Sequence, residues 1–130
     1  RFKRRLERLE VKMKIAIPTE DKSIKSKIND SLGRAPYFLI YSTVTKESEF
    51  LDNRALVEQG GAGIRAAQVI ADNGVRAVIT NRCGENAEKL FRSSEVFVYK
   101  AKEGNAEENI AYFIENELSL LNEFHSSFHG

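Results

Sequence analysis

The stretch Gly60-Gly61-Ala62-Gly63-Ile64-Arg65-Ala66-Ala67-Gln68-Val69-Ile70, followed closely by Val75-Arg76-Ala77-Val78-Ile79-Thr80-Asn81-Arg82-Cys83-Gly84, decides how the chain is read. Before Gly60 the apolar pattern has a period near two, and from there it changes to about 3.6. Ile64, Ala67, Ile70 and Ala71 fall on one helical face, and Asn73-Gly74 supplies the left-handed stop expected after a helix. Val75 to Thr80 is a nearly continuous apolar run broken by Arg76, as expected of a strand covered on both faces. A helix feeding such a strand is a unit of an α/β sheet. The glycines let the backbone turn and approach a ligand closely. The helix behind them offers unpaired N–H groups and a positive dipole end, so the place suits an anion.

Working outward, Asn81-Arg82-Cys83-Gly84 is a turn, after which Ala87, Leu90 and Phe91 make the inward stripe of a short helix. Glu95 to Tyr99 is a strand and Gly104-Asn105 a turn. Ala106 to about Asn122 is a helix with Ile110, Phe113, Ile114, Leu118 and Leu121 facing inward. Upstream, Met13 to Pro18 alternates and stops at a proline, which cannot donate to a ladder. Thr19 to Ser26 is a polar loop, and Ile28 to Pro36 is irregular. Tyr37 to Val44 is a well-buried strand, Thr45 to Ser48 a hairpin turn, and Glu49 to Asn53 a partner strand polar enough for a sheet edge. The order is a β-meander followed by α-β-α-β-α, which requires a mixed five-stranded sheet with helices on its faces. Right-handed crossovers bring the loops after strand one, before the Gly60 helix and after Thr80 to one end of that sheet.

The chain of 130 residues, 42% hydrophobic and 30% charged, suffices for one packed core. A single domain is expected over residues 13–122, with 1–12 a basic extension and 123–130 a tail. No apolar run approaches the ~18 residues needed to cross a bilayer, and no secretory pattern opens the chain, so a soluble, cytoplasmic protein with no membrane partner is expected. The single cysteine excludes an internal disulfide. The net charge of +1 conceals an asymmetry, because residues 1–12 carry six Lys or Arg against two acids. Those residues read either as an appended or processed extension ahead of Met13 or as a short extra helix, since Leu6 and Leu9 share a face. The remainder is mildly acidic and offers no basic face, which weighs against a nucleic-acid partner.

Several pieces in this order resemble the dinitrogenase iron-molybdenum cofactor biosynthesis domain, found in NifX-type proteins and at the C-terminus of NifB-type proteins. They are Met13-Lys14-Ile15-Ala16-Ile17-Pro18-Thr19, Leu32-Gly33-Arg34-Ala35-Pro36-Tyr37-Phe38-Leu39-Ile40-Tyr41, the Gly60-Gly61-Ala62-Gly63 turn, Gly74 to Thr80, and Gly84-Glu85-Asn86-Ala87. The resemblance spans about Met13 to Phe113. It implies a ribonuclease H-like α/β fold that binds or carries an iron-sulfur or iron-molybdenum cluster precursor, with cofactor-assembly or nitrogenase-like proteins as partners. Members often carry histidines before the Leu32-Gly33-Arg34 equivalent and around the glycine turn; here those places read Asp30-Ser31-Leu32 and Val57-Glu58-Gln59. A usual iron-sulfur cluster takes about four protein ligands, and this domain offers one cysteine. Binding would therefore need Cys83 from more than one chain, exogenous ligands, or a loosely held anionic cofactor contacted by Arg34, Arg65 and the N–H groups of Gly60, Gly61 and Gly63.

Each of these residues has two readings. Cys83 is a metal ligand or reactive thiol whose pKa the helix dipole and Arg82 would lower, or an inert, partly buried cysteine. The glycines cradle an anion or allow a tight turn into the helix, and Arg34 is an anion contact or a surface charge. His125 and His129 chelate a metal at i, i+4 spacing or belong to a frayed tail. Enzymatic chemistry finds no support: strand one has no acid for a two-metal nuclease site, Gly63-Ile64-Arg65 is no Walker loop, and both histidines are C-terminal. The expected function is a non-catalytic carrier or accessory domain for such a cluster, with a reduced ligand set. The competing expectation is a regulatory or interaction module of the same fold that binds a small anion or a partner protein. Val98, Tyr99 and the edge near Glu49 are the places where copies of the chain would associate.

Overall fold

Strand β1 (Lys14–Thr19) lies at the centre of a five-stranded sheet in the computed structural model, which describes residues 13–58 and 63–121. The basic segment 1–12, Gly60 and Gly61, and the tail with His125 and His129 lie outside the described residues. Strand order is β3-β2-β1-β4-β5, with β2 (Tyr37–Ser42), β3 (Ser48–Asp52), β4 (Val75–Thr80) and β5 (Phe97–Lys100). The meander pairs antiparallel, β1 with β2 and β2 with β3, while β1 with β4 and β4 with β5 are parallel. The mixed sheet expected from the sequence is therefore present, with β3 on its edge.

Among the described residues four α-helices accompany these strands: α1 (Arg54–Glu58), α2 (Gly63–Asp72), α3 (Glu85–Ser93) and α4 (Ala106–Ile114). Side chains alternate across the sheet, so Ala16, Phe38, Ile40 and Val78 point to one face and Ile15, Ile17, Leu39, Ala77 and Ile79 to the other. The first face packs against Ala66, Ala67 and Ile70 of α2 and Ala87 and Phe91 of α3, and the second against Ala106 and Ile110 of α4. Fully burying a side chain such as Phe38 or Phe91 contributes roughly 1.5–3 kcal/mol.

Four local expectations need correction. The first strand runs past Pro18 to Thr19, because its pairing with β4 has already ended at Ala16↔Val78 and no ladder partner on that side needs the missing N–H. In α2 the inward stripe is Ala66, Ala67 and Ile70, whereas Ile64 is 46% exposed. Small residues let α2 approach α3 so closely that a Cβ on Gly63 would lie 3.9 Å from that of Ala87. The third strand of the parallel set begins at Phe97 rather than Glu95, because Glu95 takes a left-handed turn (φ 59°) and the Val96 N–H closes the end of α3 on the Phe91 carbonyl at 2.7 Å. Helix α4 stops at Ile114, since Asn116 adopts φ 61° and sends the chain back along β5. The N–H of Lys100 donates to Ser119 O at 2.8 Å and that of Leu121 to Val98 O at 2.9 Å. Leu118 is buried on this return, and Ile114 is left exposed.

Candidate functional site

The two central parallel strands end alike. Thr19 and Thr80 are fully buried, and each hydroxyl donates to the carbonyl two residues on, Thr19 Oγ1 to Asp21 O at 3.0 Å and Thr80 Oγ1 to Arg82 O at 3.2 Å. Each bond turns the chain sharply as it leaves the sheet. After β1 the loop folds around Ser26, whose Oγ accepts from the N–H groups of Glu20 and Asp21 and donates to Lys27 O. The chain then returns beside β1, where Asn29 N–H reaches Pro18 O at 2.9 Å, and enters a 3-10 turn at Leu32–Arg34 packed against α2. Leu32 and Gly33 are buried there, which holds Arg34 out at the surface.

The loops after β1 and β4 meet, since Asn81 Nδ2 donates to Asp30 Oδ1 at 3.2 Å. Gly63, at the start of α2, stands beside Ala87 in the first turn of α3. Of the three loops expected to converge, those after β1 and β4 meet at the carboxyl ends of these strands, the switch point where open α/β sheets bind ligands, while the loop before α2 lies outside the described residues. Arg34 and Arg65 are both exposed, and neither forms an ion pair among the described residues. Helix α3 starts at Gly84, which supplies no side-chain cap.

Of the two readings of Cys83, a ligand or reactive thiol and a buried cysteine, its surroundings favour the second. It is 2% exposed, belongs to the hydrophobic cluster with Ala16, Ala87 and Phe91, and points its Sγ at Gly84 O, 3.6 Å away. Burial pushes the thiol up to about 12, and the Glu88 carboxylate adds to the shift. A dipole end and a neighbouring Arg82 would lower it, but removal from water outweighs them. Among the described residues no group of three or more His, Cys, Asp or Glu side chains could hold a metal ion. The donor set does not fit an enclosed, protein-ligated cluster. Asn81, Asp30 and Lys100, whose Nζ donates to Asn81 O at 3.1 Å, were not singled out as site residues by sequence reasoning. Their contacts join segments 51 and 19 residues apart, so no local pattern marks them.

This is an α/β domain built on a mixed five-stranded sheet, with its candidate site at a topological switch point. Residues 12–116 match the family described as dinitrogenase iron-molybdenum cofactor, and the chain belongs to that family. It is 32% identical over 109 residues to an uncharacterized protein of Methanocaldococcus jannaschii, covering 82% of this chain and 89% of that protein. Among solved structures, a provisional NifB protein from Thermotoga is 31% identical with a TM-score of 0.75, covering 86% of this chain and 96% of that one. The apo orange protein of Desulfovibrio gigas superposes with a TM-score of 0.79 over 86% and 98% of the two chains; at 22% identity it speaks to the fold alone. Family membership ties the chain to iron-molybdenum cofactor binding or biosynthesis. No helix among the described residues is long and apolar enough to cross a membrane.

Proposed function

We propose that the domain, residues 13–122, is a non-catalytic carrier or accessory protein that holds an anionic iron-sulfur or iron-molybdenum cluster, or its precursor, at the switch point. The observation that supports this reading is the meeting of the starts of α2 and α3, with no side-chain cap on α3, and with the turn that carries the exposed Arg34 packed against α2. Helix starts and guanidinium groups attract anions, and glycine lets a backbone approach a ligand closely. The cargo brings its own sulfides, so it needs charge and shape from the protein more than thiolates. Arg34, Arg65 and the glycine N–H groups supply that charge, and Cys83 ligates only after its loop opens. The expected partners are cofactor-assembly or nitrogenase-like proteins in the cytoplasm.

Anaerobic reconstitution of the full chain with iron and sulfide, followed by desalting and iron counting, tests this. The wild type is expected to retain stoichiometric iron, the double change Arg34→Ala and Arg65→Ala to lose most of it, and Cys83→Ala to lose less. A wild type that retains none leaves the second reading, a module of the same fold that binds a small anion or a partner protein. The buried thiol and the lack of a metal-ligating group among the described residues are what favour that alternative.

A further inference from the structure

At the switch point one residue is tied on both sides by charged groups. The Asn81 side chain donates to the Asp30 carboxylate at 3.2 Å, and the Asn81 carbonyl accepts from the Lys100 ammonium at 3.1 Å. Asp30 belongs to the loop after β1, Asn81 to the loop after β4, and Lys100 to the last position of β5, so a single residue ties three strand ends together. Inward of it, Thr80 O accepts from Ala101 N–H at 3.0 Å, which continues the seam from β4 to β5. Two residues beyond Asn81, Cys83 is 2% exposed. The buried Cys83 contributes packing, whereas the ties at Asn81 run to the exposed charged groups of Asp30 and Lys100. Charge-assisted bonds in water are individually weak, which lets such a seam open locally while the sheet stays folded.

We propose that Asp30, Asn81 and Lys100 form a strap that closes the loop of residues 81–84 over the ends of β1 and β4, and that this loop opens as a local unit to expose the interior of the site. The inference deepens the carrier reading, for which it supplies the gate, but it concerns the loop itself and needs no cargo.

Cys83 is the sole cysteine of the chain, so a thiol reagent reads the opening at one position. Alkylation of the native full-length protein by iodoacetamide, followed by intact mass, reports the population of the open loop when reclosing outpaces labelling. Asn81→Ala is expected to raise the labelling rate roughly 3–10-fold, the effect of losing one charge-assisted bond. Added salt should accelerate labelling of the wild type and change that of Asn81→Ala less. Gly74→Ala is the control. Gly74 has φ 75° with open space around its Cβ position and precedes β4 at the opposite end of the sheet, so the change strains the whole fold without touching the strap. It should leave labelling near the wild-type rate. An Asn81→Ala protein that labels at the wild-type rate overturns the strap, as does a Gly74→Ala protein that accelerates equally, since labelling would then follow global unfolding. Failure of iron retention in the reconstitution bears on the carrier reading and leaves this result standing.

Discussion

Helices α3 and α4 occupy equivalent places, each following a parallel strand of the same sheet, yet their first turns are built in opposite ways. At α4, Asn105 and Glu108 form a complete capping box, with both bonds at 2.8 Å. The N–H groups of Ala106 and Glu107 donate to Ser26 O and Ile24 O of the loop after β1. Buried Asn109 then fastens the turn, accepting from Lys102 N–H and donating to the carbonyls of Lys102 and Asn105. At α3 the corresponding cap is Gly84, without a side chain, and the residue before it is a buried thiol. One helix start is spent on holding the fold together, and the other carries no side-chain cap. Folding leaves the first turn of any helix with unpaired N–H groups, and which of them are closed internally decides where an anion can be held.

The largest expected effect breaks the closed side. Asn109→Ala removes three hydrogen bonds from a fully buried residue and leaves the Lys102 amide and carbonyl unpaired, so unfolding in urea should show a loss of about 2–4 kcal/mol. Asn105→Ala removes the cap and should cost about 1–2 kcal/mol by the same measurement. On the open side the Cys83 thiol stays protonated to about 12 in the folded chain and to its ordinary 9.0 when unfolded. The unfolded state alone therefore releases its proton between those values, and stability falls as pH rises through that window by up to about 1.4 kcal/mol per unit. Relative to Cys83→Ala, urea midpoints of the wild type should decline more steeply above pH 9.0 and run parallel below it. The smallest effect sharpens the contrast. Gly84 has φ −76° and ψ 160°, ordinary extended values, and a Cβ there meets nothing within 4 Å, so Gly84→Ser gives α3 the cap it lacks. It should stabilise by about 0.5 kcal/mol and weaken anion binding at the same place.

The order of strands and helices is legible in the sequence because the change of apolar period at Gly60 and the two-faced run Val75 to Thr80 are local signals. The errors arise where distant residues decide. The stripe of α2 depends on contact with Ala87 in another helix, which favours Ala66 over Ile64. Phe113, Ile114 and Leu118 keep helical spacing past the true end of α4, and the left-handed Asn116 overrides it. Cys83 is the instructive case for the site. Its sequence neighbours Arg82 and Gly84 suggest a lowered pKa, whereas Ala16, Ala87 and Phe91, remote in sequence, bury it. Arg34 lies at the surface, as both of its readings require, because Leu32 and Gly33 beside it anchor the turn.

The central claim is an anion site at the switch point, and amide NMR with tetrathiomolybdate as an anaerobic anionic probe tests it most directly. Titration of the full chain should shift the amides of Arg34, Gly60, Gly61, Gly63, Arg65 and Gly84 while those of Asn105 to Glu108 stay in place. A titration that moves none of the first group, or that moves the first turn of α4 equally, would contradict the assignment of the site.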